Sequence, residues 1–373
     1  MKVLFISNDP TIFDAASVAR GRMRAYAALM GELHILSSAD KDAKEEQEGN
    51  LFLHPVHSWK LFHMRVLAEH AHALIQKYGI EVVSAQDPFE HGLAALRAVQ
   101  GTNARIHIQV HTDFLSPWFM KGGTWRASFL NRYRRRIADR VLPAASGIRV
   151  VSDRVKASLI ARYGSRISEP SVIPITVSVE VPERAPLPAH TFTFALIAVG
   201  RLEPEKRIED ILIALSFVIK QYPMLGLFIV GDGHERGRLL RMTRTLDLEK
   251  HVMFLGERSD ARALMGSAQA FIQASAYEGY SRTLIEAALA RIPIITTDVG
   301  IVGEVFKDRK DTLVVPVADP KALSLNIARC IEDIAMRQEI PRHAEDTARA
   351  HLVAQGNLAE RIRDDLMRVL HDI

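Results

Sequence analysis

A chain of 373 residues, 48% hydrophobic and 25% charged, is long for one core and suits two domains of roughly 150–200 residues each. Its one cysteine, Cys330, excludes an internal disulfide; the first apolar run, residues 3–6, is cut short by Asn8, Asp9 and Pro10, below the roughly 7–15 apolar residues of a secretory signal; no stretch reads as a transmembrane span, so a cytoplasmic location is expected. The net charge of +4 is uneven, with 23 Lys and Arg against 17 Asp and Glu in residues 1–180 and 25 against 27 in the remainder, which makes the first half a weak pointer to an anionic partner such as phosphate or a membrane surface.

In chain order, short apolar runs alternate with longer amphipathic ones. Residues 2–7 (KVLFIS) read as a buried strand, 17–30 as a helix and 33–36 as the next strand. Residues 61–78 have helical periodicity, 81–84 form a short strand, 91–99 a helix, 106–110 and 147–151 strands, and 153–163 a helix opening on an Asx/Ser cap. Residues 180–190 (EVPERAPLPAH) hold three prolines without apolar periodicity and read as a linker. A second series follows: strand 193–199, helix 207–221, strand 225–230, helix 235–245, short strands 252–255 and 270–274, helix 281–290, strand 293–296 and helix 320–333, then helical stretches. Strands alternating with helices imply parallel sheets covered on both faces. The expected fold class is therefore α/β, two doubly wound Rossmann-like domains that take ligands in an interdomain cleft at the carboxyl ends of their strands. The expected divisions are a first domain over 1–182, a linker over 183–190, a second domain over 191–340 and C-terminal helices over 341–373.

The densest chemical signal is Glu278-Gly-Tyr-Ser-Arg-Thr-Leu-Ile-Glu286, between a predicted strand and a predicted helix. Glu278 falls at the strand's carboxyl end and Gly279 allows close backbone approach. Tyr280, Ser281 and Arg282 open a helix whose free N–H groups and dipole favour an anion such as phosphate. Glu286 can accept a pair of hydroxyl hydrogen bonds. By spacing alone, the stretch is equally a surface loop with two unrelated glutamates.

This stretch resembles the E-x7-E signature of the family 4 retaining glycosyltransferases, which have the GT-B fold. Other stretches fall in the family's order. Ala198-Val-Gly-Arg-Leu-Glu-Pro-Glu-Lys206 resembles its G-R-(x4)-K segment, and Phe228-Ile-Val-Gly-Asp-Gly233 its strand ending in G-D-G. Phe254-Leu-Gly256, Thr297-Asp-Val-Gly300 and residues 314–320 also fit. The resemblance is looser in the first half, at Gln109-Val-His111, Val150-Val-Ser152 and Val172-Ile-Pro174.

The resemblance implies a retaining glycosyltransferase that moves a sugar from a nucleotide diphosphate sugar to an acceptor, lipid-linked or a precursor in polysaccharide biosynthesis. The first domain would bind the acceptor and the second the donor, with the last helix packing back towards the first. It implies that Arg201 and Lys206 clamp the donor diphosphate, that Glu286 grips the ribose hydroxyls, and that Glu278 and His111 lie near the donor sugar. The expected catalytic set is His111, Glu278, Arg201 and Lys206. The expected donor-binding set is Gly200, Arg201, Lys206, Gly231, Gly279, Tyr280, Ser281, Arg282 and Glu286. No cofactor and no metal are expected. Asp40-Lys-Asp42 matches a D-x-D motif only inside a charged run, and no His/Cys/Asp cluster has metal-ligand spacing. Two departures stand out: the first strand–helix loop, residues 7–18, lacks the family's glycine pair, and Pro174-Ile-Thr176 stands where the family reads N-G.

Residues 114–140 combine Trp118, Phe119, Trp125 and Phe129 with Arg132, Arg134, Arg135, Arg136 and Arg140. They read either as a core-packed loop with a charged helix or as an acceptor or membrane surface, above all Trp118, Phe119, Trp125, Arg134, Arg135 and Arg136. The second reading puts the enzyme peripherally at the inner face of the plasma membrane. No nucleic-acid recognition motif accompanies these arginines. The rival functions are a nucleotide-sugar epimerase, which needs no acceptor, and a non-catalytic two-domain ligand-binding protein.

Overall fold

The computed structural model describes residues 1–40, 42–57, 63–121 and 125–371, the side chains of Trp125 and Arg126 excepted. The chain divides into two compact units. The first comprises Met1–Leu115, Phe129–Pro174 and Asn357–Ile373, the second Ser116–Ser128 and Ile175–Gly356.

Among the described residues the first unit is built on eight strands: β1 (Lys2–Ser7), β2 (Glu32–Ser38), β3 (Glu46–Glu48), β4 (Leu51–Val56), β5 (Val82–Ala85), β6 (Arg105–Val110), β7 (Gly147–Val150) and β8 (Ser171–Val172). Their order is β3-β4-β2-β1-β5-β6-β7-β8, parallel except for the antiparallel β3–β4 pair. Val3, Leu4, Phe5 and Ile6 are all buried, as a strand covered on both faces demands. The sequence reading missed β3, β4 and β8. β4 carries Pro55, which removes a ladder donor and reads against a strand; β3 is three exposed polar residues; β8 is two residues long. The last helix, Leu358–His371, packs Ile362, Leu366 and Val369 into one apolar cluster with Phe5, Leu33 and Ile35. It lies so close to the sheet that a Cβ on Gly147 would meet Val369 Cγ2 at 2.4 Å.

The second unit holds β9 (Phe194–Val199), β10 (Leu225–Val230), β11 (Val252–Gly256), β12 (Ala270–Gln273), β13 (Ile294–Thr297) and β14 (Leu313–Val315), all parallel, in the order β11-β10-β9-β12-β13-β14. The winding reverses between β9 and β12. Loops leaving the carboxyl ends of those two strands turn to opposite faces and open a crevice, the usual ligand position in such sheets. β14 escaped the sequence reading because three residues carry no period. The proline-rich stretch lies against the helix Ala261–Met265: Arg262 donates to the carbonyls of Ser178 and Glu180, and the Ala185 N–H donates to the Ala263 carbonyl. No helix among the described residues is long and apolar enough to cross a membrane.

Candidate active site

The loop after β9 carries Gly200 to Lys206, and the turn after β10 backs it. A Cβ on Gly231, whose φ is 132°, would stand 2.0 Å from the Gly200 carbonyl oxygen, so only glycine allows that approach. The Leu202 N–H donates to the Asp232 carbonyl (2.8 Å) and the Glu235 N–H to the Leu202 carbonyl (2.9 Å). The G-D-G stretch therefore fixes the backbone that presents Arg201 and Lys206. Arg207 follows in the left-handed region (φ 47°) and forms a bidentate pair with buried Asp210, at 2.6 and 2.9 Å.

The loop after β12 meets this one. The Ala276 N–H donates to the Glu205 carbonyl (2.7 Å), and Lys206 Nζ lies 2.5 Å from Glu278 Oε1, which also accepts from Ser275 Oγ at 2.8 Å. From behind, Gly300 (φ 58°) approaches so closely that a Cβ would meet the Tyr280 carbonyl oxygen at 2.8 Å. Ser281 adopts φ 69° and donates to Gln273 Oε1 (2.9 Å), as does Thr283 (3.0 Å). With its hydroxyl engaged there, Ser281 makes no side-chain cap to the helix Arg282–Leu289; the Leu284 N–H donates to the Ser281 carbonyl, and the N–H groups of Arg282 and Thr283 stay available to an anion. Glu286 is nearly buried, its carboxylate 3.5 Å from the Arg282 guanidinium. Burial pushes its pKa above the ordinary carboxylate value, with Arg282 and Arg262 pulling the other way.

These contacts bring together Gly200, Lys206, Gly231, Glu278, Gly279, Ser281, Arg282 and Glu286 around the two loops. Arg201 stands at their edge, its side chain 75% exposed and 3.3 Å from Glu205. Tyr280 turns its side chain away from these loops. Its ring is buried, and its hydroxyl lies 2.9 Å from His351 Nε2 and accepts from Gln355 Nε2 (2.8 Å). The helix Ile334–Gln355 draws that side chain into the core, leaving only its backbone at the site.

The aromatic segment also departs from a surface role. Phe119 is buried with its ring 5.5 Å from that of Tyr277, the neighbour of Glu278. Trp118 lies 5.6 Å from the Arg207 guanidinium and 5.6 Å from the Lys121 ammonium. Both belong to the second unit and pack on the site's loops. Arg134 is tied to Glu90 at 2.9 Å and lies over Phe89, and Arg135 is half-buried whereas Arg136 is exposed. The side chain of Trp125, and Lys41 of the D-x-D stretch, lie outside the described residues. Among the described residues no group of three or more His, Cys, Asp or Glu could hold a metal ion.

In the first unit His111 follows β6, partly exposed, its Nε2 3.2 Å from Gln109 Oε1. Burial, then the positive charge of Arg149 and Arg22, pushes its pKa down to about 3. The glycine-poor loop after β1 is ordered by caps: Asp9 accepts from the Thr11 N–H (3.1 Å) and Ser17 from the Arg20 N–H (3.0 Å). Sequence reasoning missed Gln273, Ser275 and Arg149. The available signal was a polar side chain within or just after an otherwise buried strand.

Residues 183–347 match the family model Glycosyl transferases group 1, and residues 15–181 match Glycosyltransferase Family 4. The chain is 24% identical over 178 residues to N-acetyl-alpha-D-glucosaminyl L-malate synthase of Bacillus anthracis, covering 48% of this chain and 45% of that protein. It thus spans about half the length of the curated relatives it matches. The sucrose-phosphate synthase of Thermosynechococcus elongatus has the same fold, with a TM-score of 0.83 at 20% identity over 100% of both chains. So does Anabaena Alr3699/HepE in complex with UDP-glucose, at 0.73 and 18% over 98% of this chain and 100% of that one. With two adjoining family models running from residue 15 to residue 347 and sheets of the GT-B type in both units, the chain belongs to the family 4 glycosyltransferases.

Proposed function

We propose that the chain transfers a sugar from a nucleoside diphosphate sugar to an acceptor, with retention at the anomeric carbon, and that the donor lies on the loops at the β9/β12 switch point. One observation carries this reading. The Ala276–Glu205 backbone bond and the Lys206–Glu278 ion pair join the two loops beside a helix N-terminus that the Ser281 side chain leaves uncapped. A solved member of the same fold was crystallised with UDP-glucose, which supports a nucleotide-sugar donor.

On this reading the diphosphate takes the free N–H groups of the helix Arg282–Leu289 and one of the three N–H donors of Lys206, the others remaining for Glu278. Arg201 swings from Glu205 onto the phosphates. Glu286 accepts the two ribose hydroxyls. The bond from the anomeric carbon to the diphosphate oxygen breaks as the acceptor oxygen bonds on the same face. The acceptor's proton passes to the departing diphosphate. Negative charge grows on that leaving group, and fixed cations and N–H groups stabilise it more in the transition state than in the ground state. The leaving-group charge therefore falls to protein groups, and the reading includes transfer without a divalent ion. The test is proton NMR of the product formed from an α-linked UDP-, GDP- or ADP-sugar in the presence of a glycan acceptor. An α-glycoside is expected, and an epimerised nucleotide sugar formed without acceptor would favour the epimerase.

A second reading concerns the helix Trp125–Val141. Phe129, Arg132, Tyr133 and Arg136 are all exposed and recur at i, i+3, i+4 and i+7, which sets aromatic and basic groups on one face. That face supports peripheral contact with an anionic membrane carrying a lipid-linked acceptor.

A further inference from the structure

A chain of hydrogen bonds crosses the buried sheet of the first unit and ends at His111. Alternation along β6 puts His107 and Gln109 on one face, and the register sets Ser84 of β5 beside His107 and Arg149 of β7 beside Gln109. All four side chains are buried. Arg149 donates through Nη1 to Gln109 Oε1 (2.8 Å), and through Nε and Nη2 to the carbonyls of Ile173 and Pro174 (3.1 and 2.9 Å). Gln109 Nε2 lies 2.9 Å from Ser84 Oγ, Ser84 Oγ 2.8 Å from His107 Nδ1, and His107 Nε2 3.1 Å from Asp365 Oδ2 on the last helix.

Each proton in this chain can be assigned from either end. A guanidinium only donates, so the Gln109 atom facing Arg149 is the oxygen and its amide nitrogen faces Ser84. Asp365 as a carboxylate only accepts, so His107 carries a proton on Nε2, and in the neutral ring its Nδ1 accepts from Ser84. The Ser84 oxygen then has its lone pairs turned to the Gln109 amide, the arrangement already required from the other end. The Asp365 carboxyl is kept ionised: burial works against the charged form, but the hydrogen bond and charge of His107, the Ser171 hydroxyl and Arg368 together outweigh it and lower the pKa. With Gln109 Oε1 fixed as an acceptor, His111 must present N–H at Nε2.

We propose that Gln109 and Arg149 are positioning residues that hold His111 as its Nε2–H tautomer, anchored through Ser84 and His107 to Asp365 of the last helix. Nδ1 is thereby left as a lone pair able to accept a hydrogen bond from a ligand hydroxyl. The charged and titratable groups facing the imidazole are Arg149, Arg22, Asp87 and His107. Two arginines and burial keep the ring neutral through the working pH range.

The test needs no substrate, so its failure is distinct from failure of the transfer reading. Protein labelled with 15N in its 15 histidines is followed by long-range proton–nitrogen NMR, and His111 is assigned by its loss in His111→Gln. In the wild type the expected signature is a single tautomer protonated at Nε2, unchanged between about pH 8 and about pH 5. An Nδ1–H tautomer, a mixture of tautomers, or a titration midpoint near the ordinary histidine value would each overturn the proposal. In Gln109→Leu both tautomers of His111 should appear. At the far end, Asp365→Leu should release the tautomer of His107, while Asp365→Asn, whose amide oxygen still accepts, should preserve it. The wild-type spectrum decides the matter even if a variant fails to fold.

Discussion

Glu286 is subject to two opposing demands. Its carboxylate must be ionised to accept two hydroxyls, yet burial raises its pKa with the Arg282 guanidinium at 3.5 Å pulling back. Charged hydrogen bonds contribute about 1.5–3 kcal/mol, so Glu286→Ala is expected to weaken nucleoside diphosphate binding by roughly 10- to 150-fold. Because the carboxyl of the free protein takes up a proton sooner than an ordinary glutamate as pH falls, affinity should weaken earlier on acidification than an unperturbed carboxylate dictates. Calorimetric titrations at two pH values check both statements, and equal affinity in wild type and variant would remove Glu286 from the nucleotide site. At this scale the sequence was most legible where a motif fixed residue types. Glu278, Lys206 and Glu286 come together at the two joined loops. The side-chain partners of Tyr280, His351 and Gln355, could not be read from the sequence because they lie about 70 residues downstream, where no local pattern points to them.

The loops that hold these residues depend on glycines with different duties. Gly231→Ala inserts a Cβ 2.0 Å from the Gly200 carbonyl oxygen, in a backbone conformation of φ 132° that side chains disfavour. The Gly200–Lys206 loop must then move. Gly237 lies in the helix Arg236–Thr245, where a Cβ would meet only the far end of Arg241 at 3.7 Å. Gly237→Ala should be neutral or stabilising by about 0.5–1 kcal/mol, while Gly231→Ala should lower both Tm and nucleotide affinity. Equal behaviour of the two in melting and binding would mean that the G-D-G turn does not support the site. The helix Trp125–Val141 carries its own prediction. Tyr133→Ser combined with Phe129→Ser should abolish sedimentation with anionic liposomes at low salt, and a wild type that stays in the supernatant would end the membrane reading. Strand–helix alternation gave the parallel sheets because period and length were strong. It missed β4 because Pro55 argues against a strand while the neighbours β2 and β3 hold it in place. It could not see that residues 116–128 belong to the second unit, since no composition change marks the crossing.

Over the whole molecule, histidines whose charged form is disfavoured by partial or full burial set the response to acid. Burial pushes His34 down to about 4 and His111 to about 3, and lowers His54, His63 and His351 as well. A group whose folded pKa is lowered takes up its proton only in the unfolded chain over the interval between the two values. Its stabilising contribution is whole above the unfolded value of 6.5 and is lost as pH falls from there towards the folded value, at up to about 1.4 kcal/mol per pH unit per group. His91 runs the other way: burial disfavours its charged form, but the Asp87 carboxylate outweighs that and raises the pKa. Five groups against one predict a lower Tm at about pH 5.5 than at about pH 7.5. The drop should be smaller in His34→Phe, whose ring can stack on Phe52 as the imidazole does at 4.5 Å. A Tm that is unchanged or higher at the lower pH would contradict this.

The central claim, that protein cations at the β9/β12 switch point carry the charge of a departing diphosphate, is tested most directly by the rate of glycosyl transfer in excess chelator. The assay compares wild type with Lys206→Ala, using whichever UDP-, GDP- or ADP-sugar the wild type accepts. The account predicts full wild-type activity under chelation and a kcat lowered roughly 10²–10³-fold in the variant, with a smaller change in KM. Activity abolished by chelator and restored by a divalent ion, or a near-normal kcat in Lys206→Ala, would contradict it.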